Sequence, residues 1–225
     1  MKPLCVIPAR LGSKRLPRKN LLLLSGRSLV ARAVDAALAS GIFDRVYVST
    51  ESPEIASEAR CAGAEVPGLR DPALAGDTVT NVAVSLDLHD RLAAGGVRYD
   101  AVVCLQPSSP LRTAVHISEA WRKFDAMGAD FLVSVTSIDP HDFHWALHEN
   151  RAGLEPFFGD RYLRVRQDLP IVYRPNGAIK IAAIAPLRRH NTFLGPRLVG
   201  YTMPPEVSVH VAAALDLKLC EALLQ

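Results

Sequence analysis

Near the amino terminus the chain reads Leu4-Cys-Val-Ile-Pro-Ala-Arg-Leu-Gly-Ser-Lys-Arg-Leu-Pro-Arg-Lys-Asn20. The apolar run Leu4 to Ile7 indicates a short buried strand, and five basic residues follow it in a loop. A loop that leaves the carboxyl end of a strand directs backbone N–H groups, a serine hydroxyl and cationic side chains at one anion. The stretch therefore predicts an α/β unit whose first loop binds phosphate.

Positive charge is concentrated in this part of the chain. Residues 1–34 hold eight of the 26 Lys and Arg residues and no Asp or Glu, although the formal net charge is only +3. A solvated basic surface is one explanation of such a run. The stiffening by Pro8 and Pro17, the turn at Gly12 and the interleaved leucines favour a loop fixed to the core. The run lacks the second glycine and the Lys-Ser/Thr ending of a Walker loop, and the three glycines of a dinucleotide fingerprint.

Length and composition bound the class of protein. With 225 residues and 49% hydrophobic content, the chain is expected to form a single domain, residues 1–225, around one core. It has no apolar stretch long enough for a membrane span and no room for a signal peptide before the first strand, so a cytoplasmic location is predicted. Aromatic residues make up only 6%, and no second basic stripe is present, which favours a small polyphosphate over nucleic acid as the partner.

Strand-like and helix-like patterns alternate along most of the chain. Strands separated by helices imply right-handed crossovers, a mostly parallel sheet and helices on both of its faces. The predicted fold is a doubly wound, three-layer α/β/α sandwich. The predicted strands are residues 4–9, 46–50, 101–106, 131–136, 178–184 and 198–203, and the predicted helices are residues 28–40, 52–63, 78–94, 113–127 and 212–224.

This architecture predicts where a ligand binds. Ligands of such sheets lie beyond the carboxyl ends of the strands. Arg10, Glu51 and Gln106 each follow a predicted strand. We therefore expect these residues to converge at one edge of the sheet.

The segment from about residue 138 to 175 breaks the alternation. It contains Pro140, Pro156 and Pro170, several aromatic residues and no clean periodicity. We expect an excursion from the core whose apolar side chains contact a partner subunit, which predicts a homodimer.

Two later stretches carry further candidate ligands. The first reads Leu105-Gln-Pro-Ser-Ser-Pro-Leu-Arg112, and its amide, hydroxyl and guanidinium groups suit a polar ligand as well as a proline-stiffened connection. The second comprises Arg166-Gln-Asp-Leu-Pro170 and Tyr173-Arg-Pro-Asn-Gly-Ala-Ile179. An arginine pair beside an Asn-Gly turn suits the carboxylate of an acidic substrate, and an ordinary surface loop looks similar.

Jointly, these motifs resemble those of the acylneuraminate cytidylyltransferases, also called CMP-sialic acid synthetases, and of relatives acting on other nine-carbon sugar acids. The resemblance covers nearly the whole chain. It implies a nucleotide-diphospho-sugar transferase-like fold and transfer of CMP from CTP to the anomeric hydroxyl of a 2-keto sugar acid. Pyrophosphate would be released with the help of Mg²⁺ or another divalent cation. The matching segments are Ile7–Asn20, Val48–Thr50, Gly63–Val66, Leu105–Arg112, Arg166–Pro170 and Arg174–Ile179.

The resemblance also implies roles for individual residues. As catalytic residues, Arg10, Lys14 and Lys19 would hold the triphosphate and neutralise the leaving pyrophosphate. The nucleotide would contact Arg10, Leu11, Gly12, Ser13, Lys14, Lys19, Asn20, Arg70 and Thr80. The acidic sugar would contact Gln106, Arg166 as a carboxylate clamp, Asn176, Lys180 and Phe193.

One departure from the family pattern concerns the metal. Before its last helix the family has Ser-Ile-Asp-Ile-Asp, whose two aspartates bind the catalytic metal, whereas this chain reads Ser208-Val-His-Val-Ala212. His210 and Ala212 therefore stand at the two ligand positions. Because Mg²⁺ prefers carboxylate and water oxygens, a magnesium site of the family type is not expected, and His210 is a weak metal candidate. Lys180 stands where the family usually has a tyrosine.

Three explanations of this departure stay open. The triphosphate with water, or another residue such as Asp77, would hold the metal of an active transferase. Alternatively, Lys180 and His210 would adapt the site to a different acid, or the chain would be a catalytically silent homologue that binds a nucleotide or sugar. The charges retained in residues 10–20 favour an active cytidylyltransferase.

Overall fold

The computed structural model describes the backbone of residues 1–225 and every side chain except those of Pro140, His141, Tyr162 and Arg166. Its strands are β1 (Pro3–Pro8), β2 (Leu23–Leu24), β3 (Arg27–Ser28), β4 (Val46–Ser49), β5 (Ala101–Leu105), β6 (Phe131–Ile138), β7 (Leu147–Asn150), β8 (Gly153–Pro156), β9 (Val172–Ala183) and β10 (Leu198–Thr202). Its α-helices are α1 (Leu29–Ala39), α2 (Pro53–Cys61), α3 (Asn81–Ala94), α4 (Ala114–Ala126), α5 (Pro140–His144), α6 (Ile184–His190) and α7 (Ala214–Leu223). Short 3₁₀ helices occur at Lys19–Leu21, Pro72–Ala75, Gly159–Leu163, Arg166–Asp168 and Pro205–Val207.

A six-stranded sheet with the order β10-β6-β9-β5-β1-β4 runs through the centre of the fold. β1 pairs in parallel with β4 and β5, and β6 pairs in parallel with β10. β9 runs antiparallel to β5 and β6, which therefore point the same way. The mostly parallel sheet is confirmed, and all its strands except β9 end at the same edge.

The side chains of β1 alternate between two hydrophobic cores. Cys5 and Ile7 pack on the face covered by α1, α2 and α4, whereas Leu4 and Val6 pack on the face covered by α3 and α6. A strand that is covered on both faces has this two-residue alternation of apolar side chains. The predicted three-layer α/β/α sandwich is confirmed.

Polar side chains cap the helices that begin near the carboxyl edge of the sheet. The Ser28 hydroxyl accepts a hydrogen bond from the backbone N–H of Ala31 at 3.2 Å, and the Thr80 hydroxyl accepts one from Ala83 at 3.2 Å. Each such cap satisfies a backbone donor that lacks a partner within the helix and is typically worth about 1 kcal/mol. The cap at Thr80 fixes the start of α3 after the loop of residues 71–79.

The second half of the chain differs from the prediction in two respects. The strand expected at residues 178–184 begins at Val172, so residues 172–175 pair with β6 instead of belonging to the excursion. α6 has no counterpart among the predicted helices, and it contains Pro186, which the first turn of a helix tolerates.

The remainder of the excursion contains α5 and the hairpin of β7 and β8. Several of its large apolar side chains are exposed: Trp145, Leu147, Leu154, Phe157, Leu163, Val165 and Ile171. The expected homodimer and the single domain stay predictions. Within the described part of the chain, none of the helices combines the length and the apolar character needed to cross a bilayer.

Candidate functional site

A polar cavity of about 240 Å³ lies at the carboxyl edge of the sheet, between the ends of β1 and β5. Residues from distant parts of the chain line it, so the predicted convergence of Arg10 and Gln106 is confirmed. Glu51, the third residue expected there, is not in the cavity wall but binds the backbone of the loop after β1. The predicted site residues in the wall of the cavity are Arg10, Gly12, Ser13, Lys19, Asn20, Arg70 and Gln106.

The loop after β1 is held in place by two polar side chains. A carboxylate oxygen of Glu51 accepts a hydrogen bond from the backbone N–H of Leu11 at 2.7 Å, and the Asn20 amide donates to the Arg10 carbonyl at 2.8 Å. Among the described residues, the next N–H groups, those of Gly12 and Ser13, have no acceptor. They are available to an anion in the cavity.

Arg70 is a buried cation that is paired with Glu51. Its guanidinium donates to the Glu51 carboxylate at 2.9 Å, and only 2% of its side chain is exposed. Burial lowers the pKa of Arg70, while the neighbouring Glu51 carboxylate acts in the opposite direction. Because Glu51 also binds Leu11, the ion pair links Arg70 to the backbone of the basic loop.

Asp77 binds two of the predicted phosphate ligands. Its carboxylate contacts Arg10 at 2.9 Å and Lys14 at 2.6 Å. Hydrogen bonds from these two cations hold the pKa of Asp77 below its ordinary value. In this arrangement a carboxylate occupies the guanidinium and ammonium groups that a phosphate would use.

Lys19 is a half-buried cation in the wall of the cavity. Its ammonium donates to the carbonyl of Val211 at 2.9 Å. Burial, and then the charges of Arg15 and Arg10, lower the pKa of Lys19. Lys19 adds a third cation, after Arg10 and Arg70, to the wall of the cavity.

Arg112 does not offer its guanidinium to a ligand, as its sequence motif had suggested. It is buried and donates to the carbonyls of Gln106 at 3.1 Å and Ala178 at 2.9 Å. Desolvation lowers its pKa to about 10. Arg112 holds the turn after β5 against β9, which is a structural role.

His210 lies next to the turn that follows β5. Its Nδ1 atom is 3.4 Å from the Ser108 hydroxyl and 3.5 Å from the Ser109 hydroxyl. A Cβ atom added at Gly177 would lie 3.3 Å from the same nitrogen, so the imidazole packs closely on the β9 backbone. Burial is the main cause that lowers the pKa of His210, followed by the charges of Lys19 and Lys180.

The other predicted site residues whose side chains the structure describes lie outside the wall of this cavity. Leu11 and Lys14 belong to the basic loop, and Thr80 is the N-cap of α3. Asn176 is buried and contacts the hydroxyls of Ser134 at 2.5 Å and Ser208 at 2.9 Å.

Two residues expected to contact the sugar lie together on the α3 face of the sheet. Phe193 is buried in the core on this face. The Lys180 ammonium lies 6.0 Å from the centre of the Phe193 ring. The side chain of Arg166 lies outside the described residues.

Sequence reasoning missed several residues of the cavity wall. Gly76, Val79 and Asn81 line it with Asp77, because the loop before α3 closes one side of the cavity. One signal in the sequence could have indicated these wall residues, namely the N-cap Thr80. A cap at this position predicts that the helix begins at the carboxyl edge of the sheet, so the residues around it lie near a ligand at that edge.

The oxygen donors around the cavity do not suit a divalent cation held by the protein. Asp77 and Glu51 are each bound by basic side chains. Asp216 accepts hydrogen bonds from the backbone N–H groups of Ala212 and Ala213, both at 2.7 Å. Among the described residues, no three or more His, Cys, Asp or Glu side chains are grouped so that they could hold a metal ion. The residues that are present do not fit Mg²⁺.

Comparisons with known proteins agree with this geometry. A family model described as "Cytidylyltransferase" matches residues 4–173. An N-acylneuraminate cytidylyltransferase of Streptococcus agalactiae serotype V is 36% identical over 214 residues, covering 94% of this chain and 50% of that protein. A pseudaminic acid cytidylyltransferase of Campylobacter jejuni serotype O:2 is 30% identical over 224 residues, covering 99% of this chain and 96% of that protein.

The chain spans about half the length of the streptococcal relatives. Among solved structures, a CMP:2-keto-3-deoxy-manno-octonic acid synthetase complexed with CTP superposes with a TM-score of 0.75. That match covers 100% of this chain and 98% of the other, at 16% identity. At such low identity the likeness supports the fold alone.

Proposed function

Because the chain belongs to the cytidylyltransferase family, we propose that it transfers CMP from CTP to the anomeric hydroxyl of a nine-carbon or related 2-keto sugar acid. The relatives at 30% and 36% identity are named for two acids of this kind, N-acylneuraminate and pseudaminic acid. Pyrophosphate is the second product. CTP and an acidic sugar are the substrates under this proposal.

The observation that carries the proposal is the charge of the cavity. Arg10, Lys19 and Arg70 line a space of about 240 Å³, and so do Gly12 and Ser13, whose N–H groups have no acceptor among the described residues. Such a set of cations and backbone donors suits a triphosphate, because charge-assisted hydrogen bonds to phosphate are stronger than neutral ones. Arg10 and Arg70 already have carboxylate partners, Asp77 and Glu51, whereas the Lys19 ammonium contacts a carbonyl and gains a counter-charge from a bound triphosphate.

The reaction requires an in-line attack by the anomeric oxygen on the α-phosphorus, with rupture of the bond to pyrophosphate. Positioning and charge neutralisation supply most of the catalysis in such transfers. Under the proposal, Arg10, Lys14 and Lys19 bind the β- and γ-phosphates and stabilise the charge that develops on the leaving pyrophosphate. Asn20 and Arg70 contact the nucleoside part from the same wall. Thr80 acts indirectly, by capping the amino terminus of α3.

The acidic sugar is proposed to bind beside the turn after β5. The Gln106 amide lines the cavity and lies close to His210 and Gly177. Lys180 adds a cation on the neighbouring face of the sheet. Arg166 remains the proposed carboxylate clamp. Asn176 and Phe193 are proposed to act indirectly, because both are buried.

A homodimer is a separate part of the proposal. The excursion exposes large apolar side chains, among them Trp145, Leu154 and Ile171. A second copy of the chain would remove this apolar surface from water, which is favourable. Sedimentation analysis tests this part, and a monomer at all accessible concentrations contradicts it. The proposed reaction does not depend on the result.

The proposed function is tested by pyrophosphate release. Purified protein is mixed with CTP and with N-acetylneuraminic, pseudaminic or legionaminic acid in turn, and ATP replaces CTP as the control nucleotide. We expect release with CTP and at least one acid. Absence of release with all three acids contradicts the proposed reaction and supports the catalytically silent alternative. The two relatives described above are both named as cytidylyltransferases.

A matched pair of lysine variants tests whether CTP binds in this cavity. Lys19→Met removes the cavity ammonium, and Lys123→Met removes an exposed ammonium that also donates to a carbonyl, that of Gly200 at 2.8 Å. A charged hydrogen bond to phosphate is worth about 1.5–3 kcal/mol, so Lys19→Met is expected to weaken CTP binding by roughly 10- to 150-fold. Lys123→Met is expected to bind CTP as the unmodified protein does. Equal effects of the two variants contradict the assignment.

A further inference from the structure

His210 stands where the family pattern has its first metal ligand, and the Lys19 ammonium binds the carbonyl of the next residue, Val211. His210 is fixed between the hydroxyls of Ser108 and Ser109 and the backbone at Gly177. At the two metal-ligand positions of the family this chain therefore has an imidazole, that of His210, and a methyl group, that of Ala212, and no carboxylate.

Two nearby oxygen atoms already have partners. The Lys19 ammonium binds the Val211 carbonyl, which lies between His210 and Ala212 in the sequence. The Oδ2 atom of Asp216 accepts hydrogen bonds from the N–H groups of Ala212 and Ala213 at the start of α7, which leaves its Oδ1 atom without a donor among the described residues. A divalent cation at this position would therefore find one free carboxylate oxygen and would lie beside the Lys19 ammonium.

The charge of Lys19 also opposes a divalent cation beside His210. Its ammonium is held next to His210 by its hydrogen bond to the Val211 carbonyl at 2.9 Å. Because the repulsion between two cations is proportional to the product of their charges, this ammonium disfavours a divalent ion more strongly than a monovalent one. The charge of Lys19 and the shortage of carboxylate oxygens therefore both disfavour a protein-held divalent ion.

We propose that this chain supplies no ligand to a divalent cation and binds the triphosphate of CTP through its own basic side chains, so that its affinity for CTP does not require Mg²⁺. The inference rests on the proposed function, since it takes CTP as the ligand. Lys19 supplies, together with Arg10, positive charge that a protein-held ion would otherwise supply. A metal ion already bound to the nucleotide in solution is neither required nor held by the protein.

Calorimetric titration of CTP into the unmodified protein tests the inference, once with EDTA and once with saturating Mg²⁺. We expect the dissociation constant in EDTA to match the value in Mg²⁺ within about twofold or to be lower. Binding that is about tenfold or more tighter in Mg²⁺ overturns the inference and leaves the proposed function intact. Absence of binding in both buffers overturns the inference and the proposed function together.

A restored carboxylate pair provides the second measurement. We expect His210→Asp with Ala212→Asp to make CTP binding about tenfold or more tighter in Mg²⁺ than in EDTA. The matched control, His210→Asn with Ala212→Asn, has nearly the same size without the charge, and we expect it to stay independent of Mg²⁺. A control that gains the same dependence contradicts the argument from charge.

Electron paramagnetic resonance of Mn²⁺ gives a readout that needs neither variant nor turnover. We expect the free Mn²⁺ signal to persist when unmodified protein is added without nucleotide. Stoichiometric loss of that signal, reversed by Mg²⁺, overturns the inference directly.

Discussion

The buried ion pair between Arg70 and Glu51 provides a quantitative test of how the site is built. Glu51→Gln keeps the size of the side chain and an oxygen for the Leu11 N–H, but it removes the charge that compensates Arg70. Leaving one partner of a fully buried pair uncompensated costs about 3–5 kcal/mol. Here the side chain of Arg70 is 2% exposed and that of Glu51 is 18% exposed, so we expect the low end of that range.

A loss of about 3 kcal/mol corresponds to a fall in Tm of about 6–12 °C for a chain of this length. Differential scanning calorimetry measures the Tm, and urea unfolding measures the free energy of unfolding. Glu54→Gln is the matched control, because its carboxylate pairs with Arg18 at a site where both side chains are more than half exposed. An exposed pair is worth about 1 kcal/mol or less, so the control should shift the Tm by no more than about 4 °C.

A double-variant cycle separates the charge from the packing. Arg70→Met removes the buried cation, so the combined variant no longer contains an uncompensated charge. We expect the combined loss to be smaller than the sum of the two single losses by at least about 1 kcal/mol. Additive losses, or a Glu51→Gln protein as stable as the Glu54→Gln protein, would refute this explanation of the site.

Two further predictions concern the charged groups of the cavity. Asp77→Asn should tighten CTP binding roughly two- to fivefold in calorimetry, because Arg10 and Lys14 lose a competing carboxylate; weaker binding contradicts this. In an NMR titration, His210 should have a pKa below the ordinary 6.5, and Lys180→Met should raise it; an unchanged value contradicts the role of Lys180. Because the unfolded chain then binds a proton that folded His210 does not, the free energy of unfolding should fall as the pH drops below 6.5, and less so in His210→Asn.

The features that could be predicted are those that depend on residues close to one another in the sequence. The alternation of Leu4, Cys5, Val6 and Ile7 predicts a strand covered on both faces, and the cores confirm it. The basic loop could be recognised because its charges are contiguous in the sequence. Its contribution to the cavity followed from the rule that parallel strands end at one edge.

The features that could not be predicted depend on contacts between distant residues. Arg112 has the composition of an anion ligand, but the carbonyl of Ala178 takes its guanidinium only after β9 has joined the sheet. The antiparallel direction of β9 is set by its pairing with β5 and β6 and has no local signature. The ion pair of Asp77 with Arg10 is likewise a tertiary contact, so the sequence suggested Asp77 as a metal ligand instead.

The most direct test of the central claim is a crystal structure of the protein with CTP. The basic cavity predicts phosphate oxygens within hydrogen-bond distance of Arg10, Lys19 and the N–H groups of Gly12 and Ser13, with Asp77 displaced from Arg10. A nucleotide bound elsewhere, or bound here with its phosphates directed away from Arg10 and Lys19, would contradict the account.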